Sequence, residues 1–397
     1  MEKQYQKTIY ACFAGYIVQA IVNNFVPLLF LTFQESYGLP ITRITFLITL
    51  NFGLQLTVDF LSAGLIDRIG YRISIIAAHV LAALGLAALA VLPELLADPF
   101  AGLLIAVVLY AVGGGLLEVL VSPIVEACPG EKKKAAMSLL HSFYCWGQVG
   151  VVLCSTLFFH FVGIEHWRVL AVIWALLPAA NAFVFSKVPI ARLLEEGDEG
   201  MKVGELLKNR AFWMLAVLML CAGACELSVS QWASAFAERG LGIGKTLGDL
   251  AGPLFFALLM GGSRVLYSRV SEKVEQKRYL LFCGVLCLGS YLLIALAPWP
   301  LAGVLGCGLC GFSVGALWPG TFSMAAGTIR RGGTALFALL ALAGDLGCSA
   351  GPTLVGQVAG ADGAFLNRGI LAAAGFPLLL VAMLAASLLW ERKRQEG

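Results

Sequence analysis

Four acidic side chains lie well inside long apolar stretches of this sequence, namely Asp59, Glu118, Glu226 and Asp345, while Glu126 lies nearer the end of its stretch. An ionisable group in the middle of a bilayer costs about 2.5–3.5 kcal/mol on insertion scales, so a buried acid of this kind indicates a functional site. Desolvation disfavours a charged carboxyl, and the protonated form donates as well as accepts hydrogen bonds. These acids are therefore candidates for carrying protons and for binding a hydroxylated solute.

Glu118 is the first candidate, because its surroundings are the most distinctive. It lies in residues 113–123, GGGLLEVLVSP. The three glycines are not followed by Lys-Ser/Thr, so this is not a phosphate-binding loop. We predict that Glu118 binds substrate and couples protons; the alternative is a buried acid that pairs with a neighbouring donor and holds helices together.

Glu226 stands just before Ser228, Ser230, Gln231 and Trp232. This cluster offers enough donors and acceptors to contact a hydroxylated ligand. A binding and proton-coupling role is predicted for Glu226 on that basis.

Asp59 and Asp345 each have two interpretations. Asp59 lies eight residues before Asp67, about two helical turns deeper, and could belong either to a cytoplasmic gate or to the substrate pathway. Asp345 is a candidate for proton coupling, although it could instead pair with Arg264 near the cytoplasmic side.

Further polar and aromatic residues complete the predicted site. A neutral histidine both donates and accepts hydrogen bonds, and a tryptophan offers a flat apolar face for a sugar ring, although both residue types also serve in helix packing. The predicted substrate contacts are Asn23, Asn24, Glu118, His141, Tyr144, Gln148, Glu226, Gln231, Trp232 and Trp318. Proton coupling is assigned to Glu118, Glu226 and Asp345.

The elements that position these residues are membrane helices. The chain has 397 residues, of which 59% are hydrophobic and 13% charged, whereas soluble proteins carry about 25% charged residues. A membrane crossing requires about 20 apolar residues. Twelve such segments are predicted, at residues 8–31, 44–66, 72–93, 100–126, 136–161, 167–187, 211–237, 247–268, 278–297, 301–326, 334–358 and 369–390.

The distribution of basic residues gives the orientation. Lys and Arg gather in short cytoplasmic loops, because such loops are not translocated. With both termini inside, all but five of the 27 basic residues fall in cytoplasmic segments; the five are Arg43, Arg168, Arg239, Lys245 and Arg368. The basic excess therefore reflects membrane topology rather than nucleic-acid binding, and we expect both termini in the cytoplasm and the chain in the inner membrane.

A polar stretch divides the chain into two halves. Residues 188–210 carry mixed charges and form a predicted cytoplasmic linker between six-helix bundles at residues 1–187 and 211–397. A weak internal repeat supports the division, since residues 64–72, GLIDRIGYR, follow the second helix and residues 263–269, SRVLYSR, follow the eighth.

Residues 64–72 resemble the loop between helices two and three that marks the major facilitator superfamily. The resemblance implies twelve helices in two pseudo-symmetric bundles. Gly64 and Gly70 would allow close helix approach and a tight turn, and the charged residues would form a cluster that opens and closes with a cytoplasmic gate. The predicted gate residues are Asp59, Gly64, Asp67, Arg68, Gly70, Arg72 and Arg264.

Residues 113–123 resemble the fourth helix of the fucose permease branch, the fucose–galactose–glucose:proton symporters. In that branch the glutamate takes part in sugar binding and proton exchange, which is the role implied for Glu118, and Asn is common where this chain has Ser122. Residues 140–147, LHSFYCWG, resemble the branch's substrate-facing stretch, with His141 and Tyr144 at positions where amide side chains occur. Weaker similarities cover Asn23-Asn24, residues 223–226 with Trp232, residues 311–319 and residues 344–356.

One position departs from the branch. Its members carry a carboxylate shortly after the first-helix Asn pair, where this chain has Pro27. The proton-carrying role of that acid is therefore absent here or moved to another residue.

The sequence thus predicts a secondary transporter in which two bundles rock about a midplane site, moving a sugar or sugar derivative by proton symport. Alternatives are uncoupled facilitated diffusion, and proton-coupled efflux of an amphipathic compound or drug. An enzyme or non-transporting receptor lacks support, because no metal, cofactor or nucleophile constellation is found in the sequence. We expect a monomer whose partners are a small-molecule solute, protons and lipid, with no nucleic acid.

Overall fold

The computed structural model describes residues 2–128, 133–190, 201, 203–270, 274–296, 299–329, 332–360 and 365–396, and within these ranges it contains helices and turns but no β-strand. Twelve helical segments of the described ranges are long and apolar enough to cross a membrane, from Tyr5–Tyr37 to Leu366–Leu389. The predicted all-α fold with twelve transmembrane helices is confirmed.

The chain divides into two compact units, residues 1–196 and 197–397, and the division falls within the stretch predicted as a linker. The first unit contains α1 (Glu2–Asn24), α2 (Phe30–Tyr37), α3 (Ile41–Ile69), α4 (Tyr71–Leu95), α5 (Pro99–Ala127), α6 (Lys133–Val162) and α7 (Trp167–Lys187).

The second unit begins with a short helix and contains several interrupted ones. Its helices are α8 (Val203–Lys208), α9 (Arg210–Ser230), α10 (Ala233–Ala235), α11 (Lys245–Asp249), α12 (Phe255–Val270), α13 (Gln276–Leu296), α14 (Pro300–Val314), α15 (Leu317–Thr328), α16 (Gly333–Ala359), α17 (Leu366–Ala373) and α18 (Gly375–Glu396).

Large apolar side chains cover the outside of the first unit. Phe60, Leu95 and Phe161 are 71%, 72% and 78% exposed. Exposure of several large apolar side chains is unfavourable in water but natural in lipid, where the hydrocarbon matches them. The exposed surface therefore agrees with membrane insertion.

The first membrane segment is not one continuous helix as predicted. It consists of α1, a 3₁₀ turn at Val26–Leu29 and α2. Pro27 lies in that turn, because proline has no N–H to donate and its ring clashes with the carbonyl four residues earlier. The helix is thus broken at Pro27, directly after Asn23 and Asn24.

The three glycines before Glu118 bring three helices against α5. A β-carbon on Gly113 would lie 2.7 Å from the carbonyl oxygen of Ala78 in α4, and one on Gly114 would lie 2.9 Å from Oε1 of Gln19 in α1. A β-carbon on Gly115 would lie 3.0 Å from Cα of Gln55 in α3. Successive helical residues point about 100° apart, so each glycine admits a different neighbour.

Glycines likewise bring α9 and α16 together in the second unit. A β-carbon on Gly347 would lie 1.9 Å from the carbonyl oxygen of Leu220, and one on Gly223 would lie 2.2 Å from that of Gly344. Such separations are far below van der Waals contact. The two backbones therefore meet at distances that only glycine permits.

Candidate functional site

Several predicted site residues lie at interruptions of membrane helices. Asn23 and Asn24 end α1 before the Pro27 turn, and Gln231 and Trp232 form the turn between α9 and α10. Trp318 begins the second part of a segment broken between α14 and α15. Discontinuous membrane helices commonly form solute sites, because the break exposes backbone and side-chain polar groups at depth.

Glu118 in the first unit is the end of a chain of hydrogen-bonded amides. Gln19 Nε2 donates to Glu118 Oε2 at 3.2 Å and to Gln55 Oε1 at 3.0 Å. Gln55 Nε2 donates in turn to Asn23 Oδ1 at 2.9 Å and to Asn51 Oδ1 at 3.0 Å. The four amide residues are buried, and Glu118 is half-buried.

Asp59 lies beside Glu118 rather than apart from it. An oxygen of the Asp59 carboxyl and one of the Glu118 carboxyl are within 4.8 Å of each other. Two ionised carboxylates at this distance would repel each other.

The polar chain continues along α1 on its side toward α6. The Tyr16 hydroxyl and Ser122 Oγ form a hydrogen bond of 3.2 Å, and the Tyr16 ring lies 5.3 Å from the His141 ring. His141 is exposed, Tyr144 is half-buried and Gln148 is buried. The α6 candidates thus belong to the same unit as Glu118, and the His141 ring contacts the ring of Tyr16, which lies one turn before Gln19 in α1.

Asn24 has a local function in this structure. Its Nδ2 donates to the carbonyl oxygen of Ala20 at 2.9 Å, one turn earlier in α1. The side chain therefore supports the carbonyls at the end of the broken helix, where backbone partners are missing. Asn23, and not Asn24, joins the amide chain.

Glu226 in the second unit is buried and faces a cation. Arg264 Nη2 lies 3.7 Å from Glu226 Oε2. Gln231 and Ser230, next along the chain, are also buried. The Arg264 guanidinium is therefore the positively charged neighbour of the Glu226 carboxyl.

The two candidate tryptophans of the second unit pack differently. Trp232 is fully buried, and its Nε1 donates to the carbonyl oxygen of Pro352 at 2.9 Å. Trp318 is half-buried, and a β-carbon on Gly344 would lie 2.3 Å from its ring. The first therefore ties helices together, while the second rests on a glycine immediately before the half-buried Asp345.

The gate residues are described in part. For Gly64, Asp67 and Arg68 the structure describes only the backbone, which belongs to α3. Gly70 adopts φ +91°, which suits the turn between α3 and α4 because glycine tolerates positive φ. The predicted gate role of Arg264 competes with its ion pair to Glu226.

Arg72 holds the end of α7. Its guanidinium donates to the carbonyl oxygens of Phe185, Ser186 and Val188 at 2.9, 3.0 and 2.8 Å. These are the carbonyls left without helical partners at a C-terminus, where positive charge is also favourable.

Replacing Arg72 should therefore lower stability in a graded order. Arg72→Lys keeps the charge but loses the forked geometry, and Arg72→Met loses both. We expect losses in the free energy of unfolding of about 0.5 kcal/mol for lysine and about 1 kcal/mol for methionine. Thermal unfolding of the detergent-purified protein measures the order, and equal stability of all three forms would contradict the capping role.

Residues Gln19, Asn51 and Gln55 were missed by the sequence argument. Their signal is helical spacing, since Gln19 and Asn23 are four residues apart, as are Asn51, Gln55 and Asp59. Residues at this spacing share one face of a helix. Two polar stripes on otherwise apolar helices could have indicated the chain of amides.

A buried ion pair in the second unit was also missed. Asp249 is fully buried, and its Oδ1 lies 3.0 Å from Lys245 Nζ and accepts a hydrogen bond from Ser234 Oγ. Lys245 also donates to Ser234 at 2.9 Å. These contacts connect α10 and α11 around a turn of π-helix at Phe236–Gly240.

Removing one member of this pair should destabilise the second unit. Asp249→Ala leaves a poorly solvated ammonium, which we expect to cost about 3 kcal/mol. The double variant Lys245→Met/Asp249→Leu removes both charges and should recover most of that loss. Thermal unfolding of the single and double variants tests this, and a double variant as unstable as Asp249→Ala would show that the charge imbalance is not the cause.

Comparison with known proteins gives a consistent family. Residues 11–352 match the family model described as Major Facilitator Superfamily. Among curated proteins, the chain is similar to the membrane protein MosC of Rhizobium meliloti, with 23% identity over 271 residues that make up 68% of this chain and 64% of that relative. The match thus spans less than two thirds of the relative's length.

Solved structures show the same fold. A bacterial homologue of the human lysosomal transporter Spinster, in an inward-facing and occupied conformation, has a TM-score of 0.76 at 14% identity, with 97% of each chain covered. The Escherichia coli fucose:proton symporter has a TM-score of 0.65 at 16% identity, with 96% of this chain and 98% of that chain covered. At these identities the likeness concerns the fold.

Proposed function

The chain belongs to the major facilitator superfamily and is a multi-pass membrane transporter rather than an enzyme, and from this premise we propose that it carries a small hydroxylated solute, a sugar or sugar derivative, together with protons. Transport proceeds by alternating access, and the two gradients are coupled through Glu118.

The observation that carries the proposal is the set of amides connected to Glu118. Amide side chains both donate and accept, so they match the alternating donors and acceptors of sugar hydroxyls. A purely amphipathic solute would not require four buried amides, because the burial of an amide is unfavourable unless it is hydrogen-bonded. The amide chain therefore supports a hydroxylated solute over a hydrophobic drug.

The carboxyl pair accounts for coupling without a first-helix acid. Pro27 occupies the position of that acid and breaks the helix instead. Asp59, within 4.8 Å of Glu118, supplies a second carboxyl from α3. We assign the pair a shared proton, which moves Asp59 from the predicted gate to the coupling site.

The second unit contributes a buried carboxyl beside a cation. Because Arg264 Nη2 lies 3.7 Å from Glu226 Oε2, the carboxyl is held in one place and can orient a hydroxylated solute. We therefore propose solute binding for Glu226, with Gln231 beside it. Asp345 keeps its assignment to proton coupling, and Trp318 its assignment to solute contact.

The membrane orientation follows from charge. Because the basic residues concentrate in alternate loops, we propose that both termini lie in the cytoplasm and that the protein lies in the inner membrane. Cysteine-scanning with a membrane-impermeant thiol reagent on intact cells would test this, using the native Cys154 as a background control.

The test of the proposed function is uptake by proteoliposomes. Purified protein is supplied with a panel of radiolabelled monosaccharides and glucosides, and with hydrophobic cations, with and without an imposed proton gradient. We expect accumulation of at least one sugar, acid outside, and collapse of that accumulation by a protonophore. Transport of the cations alone would establish the efflux alternative, and sugar equilibration indifferent to the gradient would establish facilitated diffusion.

A further inference from the structure

Gln19 has an unbalanced set of hydrogen bonds. Its Nε2 donates to both Glu118 Oε2 and Gln55 Oε1, whereas its Oε1 is buried with no hydrogen-bond partner. A buried acceptor without a partner is costly, and native structures retain few of them. The side chain is therefore held in an orientation that serves the acceptor on Glu118 at the expense of its own oxygen.

The hydrogen bonds that link the four amide side chains of Gln19, Gln55, Asn51 and Asn23 run in one direction. Gln55 Nε2 donates to Asn23 and Asn51, and Asn51 Nδ2 donates to Asn23 Oδ1 at 3.4 Å. Gln55 receives only from Gln19. An ionised carboxylate is an acceptor alone, so this direction is the one that a charged Glu118 selects.

We propose that Gln19, Gln55, Asn23 and Asn51 form a relay. The orientation of their amides depends on the protonation state of Glu118, and the relay ends at Asn23, a predicted solute contact. The relay deepens the proposed function, and rests on it, by naming the positioning residues through which a proton alters solute binding. Its members move no proton themselves.

The relay follows from the donor and acceptor count. When Glu118 Oε2 holds the proton that it is proposed to share with Asp59, whose carboxyl lies within 4.8 Å, it has an O–H donor. Gln19 then turns its amide by half a rotation, so that its Oε1 accepts from Glu118 and its Nε2 moves to the position that the oxygen had occupied. Carboxamide oxygen and nitrogen are similar in size, so the rotation leaves the packing unchanged.

The reversal propagates because each amide faces two neighbours. With Gln19 Oε1 turned toward Gln55, Gln55 must present Nε2, and its own oxygen then faces Asn23 and Asn51. Both asparagines turn in response and donate to Gln55. The Asn23 amide thereby exchanges the group that it directs away from the chain, from NH₂ to carbonyl.

The surroundings of Gln19 favour such a rotation. Gly114 presents no side chain to it, and a β-carbon at that position would lie 2.9 Å from Gln19 Oε1. Gly114 is the middle residue of the three glycines that precede Glu118. The same glycines therefore leave space for the Gln19 amide, which donates to Glu118.

The experiment is isotope-edited infrared difference spectroscopy of the full chain in lipid, without solute. Protein made by cell-free synthesis carries glutamine labelled with ¹³C at Cδ, and spectra are compared between low and high pH. In the wild type we expect a carboxylic-acid band together with glutamine amide bands that shift with the label and titrate with the same midpoint.

Three variants separate the relay from a structural role. Glu118→Met, which adds no amide, should lose the pH-dependent glutamine bands. Gln19→Met should keep the carboxylic-acid band and lose the pH-dependent glutamine bands. Gln357→Met is the control, because Gln357 is exposed in α16, and it should retain the carboxylic-acid band and the pH-dependent glutamine bands. Unchanged helical amide bands and thermal unfolding establish that each variant is folded.

Wild-type spectra without pH-dependent glutamine bands would overturn the relay, as would bands of full intensity in folded Gln19→Met. Because the measurement contains no solute, its outcome is separate from the uptake test. If the protein transports sugars but its glutamine bands do not respond to pH, the relay is wrong and the proposed function stands. If the bands respond to pH but no sugar is transported, the proposed solute is wrong.

Discussion

Glu118→Gln is expected to abolish accumulation of solute against its gradient while leaving the exchange of labelled for unlabelled solute measurable. Glutamine keeps the shape and a hydrogen bond to Gln19, but it cannot take up and release a proton. One pH unit corresponds to about 1.4 kcal/mol per proton, so coupling to one proton supports about tenfold accumulation for each unit of imposed difference. The variant should fall to equilibration.

The control for this prediction is Glu165→Gln. Glu165 is an exposed acid at the turn before α7, with 70% of its side chain accessible. The Glu165→Gln variant should accumulate solute as the wild type does. Proteoliposomes with an imposed pH difference give both numbers, and tenfold accumulation by Glu118→Gln would remove Glu118 from the coupling site.

Gly347→Val is expected to prevent normal folding of the second unit. The β-carbon would lie 1.9 Å from the carbonyl oxygen of Leu220 and 2.9 Å from the nitrogen of Ala224, both in the backbone of α9. A backbone cannot move aside as a flexible side chain does. Overpacking a side chain typically costs about 1–3 kcal/mol, and separation of two whole helices should exceed that range.

Gly289→Val is the matched control. Gly289 lies in α13, also within a membrane segment, and a β-carbon there would meet nothing within 4 Å. Size-exclusion profiles and thermal unfolding after purification compare the two variants. Gly289→Val should resemble the wild type and Gly347→Val should be lost as aggregate; equal behaviour would mean that the close contact of α9 and α16 is dispensable.

The fold was largely predictable because its causes are local and repeated. About 20 apolar residues are needed for every crossing, and the basic loops fix the direction of each one. Helix interruptions were harder to predict. Pro27 gave a local reason for the first break, and Pro319, four residues after Gly315, gives one for the break at Gly315, but the break near Trp232 contains no such signal.

The candidate site was predictable only in part. Glu118 was recognisable alone, because an acid in hydrocarbon is costly wherever it is placed. Its partners were not, because Gln19 and Gln55 meet across two helices separated by 36 residues. Which face of α3 turns toward α1 depends on packing at Gly115, and that packing also places Asp59 beside Glu118.

Paired charges show the same limit. The sequence offered Asp345 as one possible partner for Arg264 and did not offer Glu226, which the structure places 3.7 Å from the guanidinium. Asp249 was overlooked because it stands near the predicted start of a membrane segment, yet it is fully buried. Such pairings depend on interruptions of α-helix around residues 236–254, which shift the face that each following residue occupies.

The most direct test of the account is the simultaneous measurement of solute and proton flux. Wild-type proteoliposomes in lightly buffered medium, without an imposed gradient, receive the sugar identified by uptake, and an external pH electrode follows the suspension. We predict prompt alkalinisation that is proportional to sugar entry and absent in Glu118→Gln. Sugar entry by the wild type with no change in external pH would contradict proton coupling through Glu118.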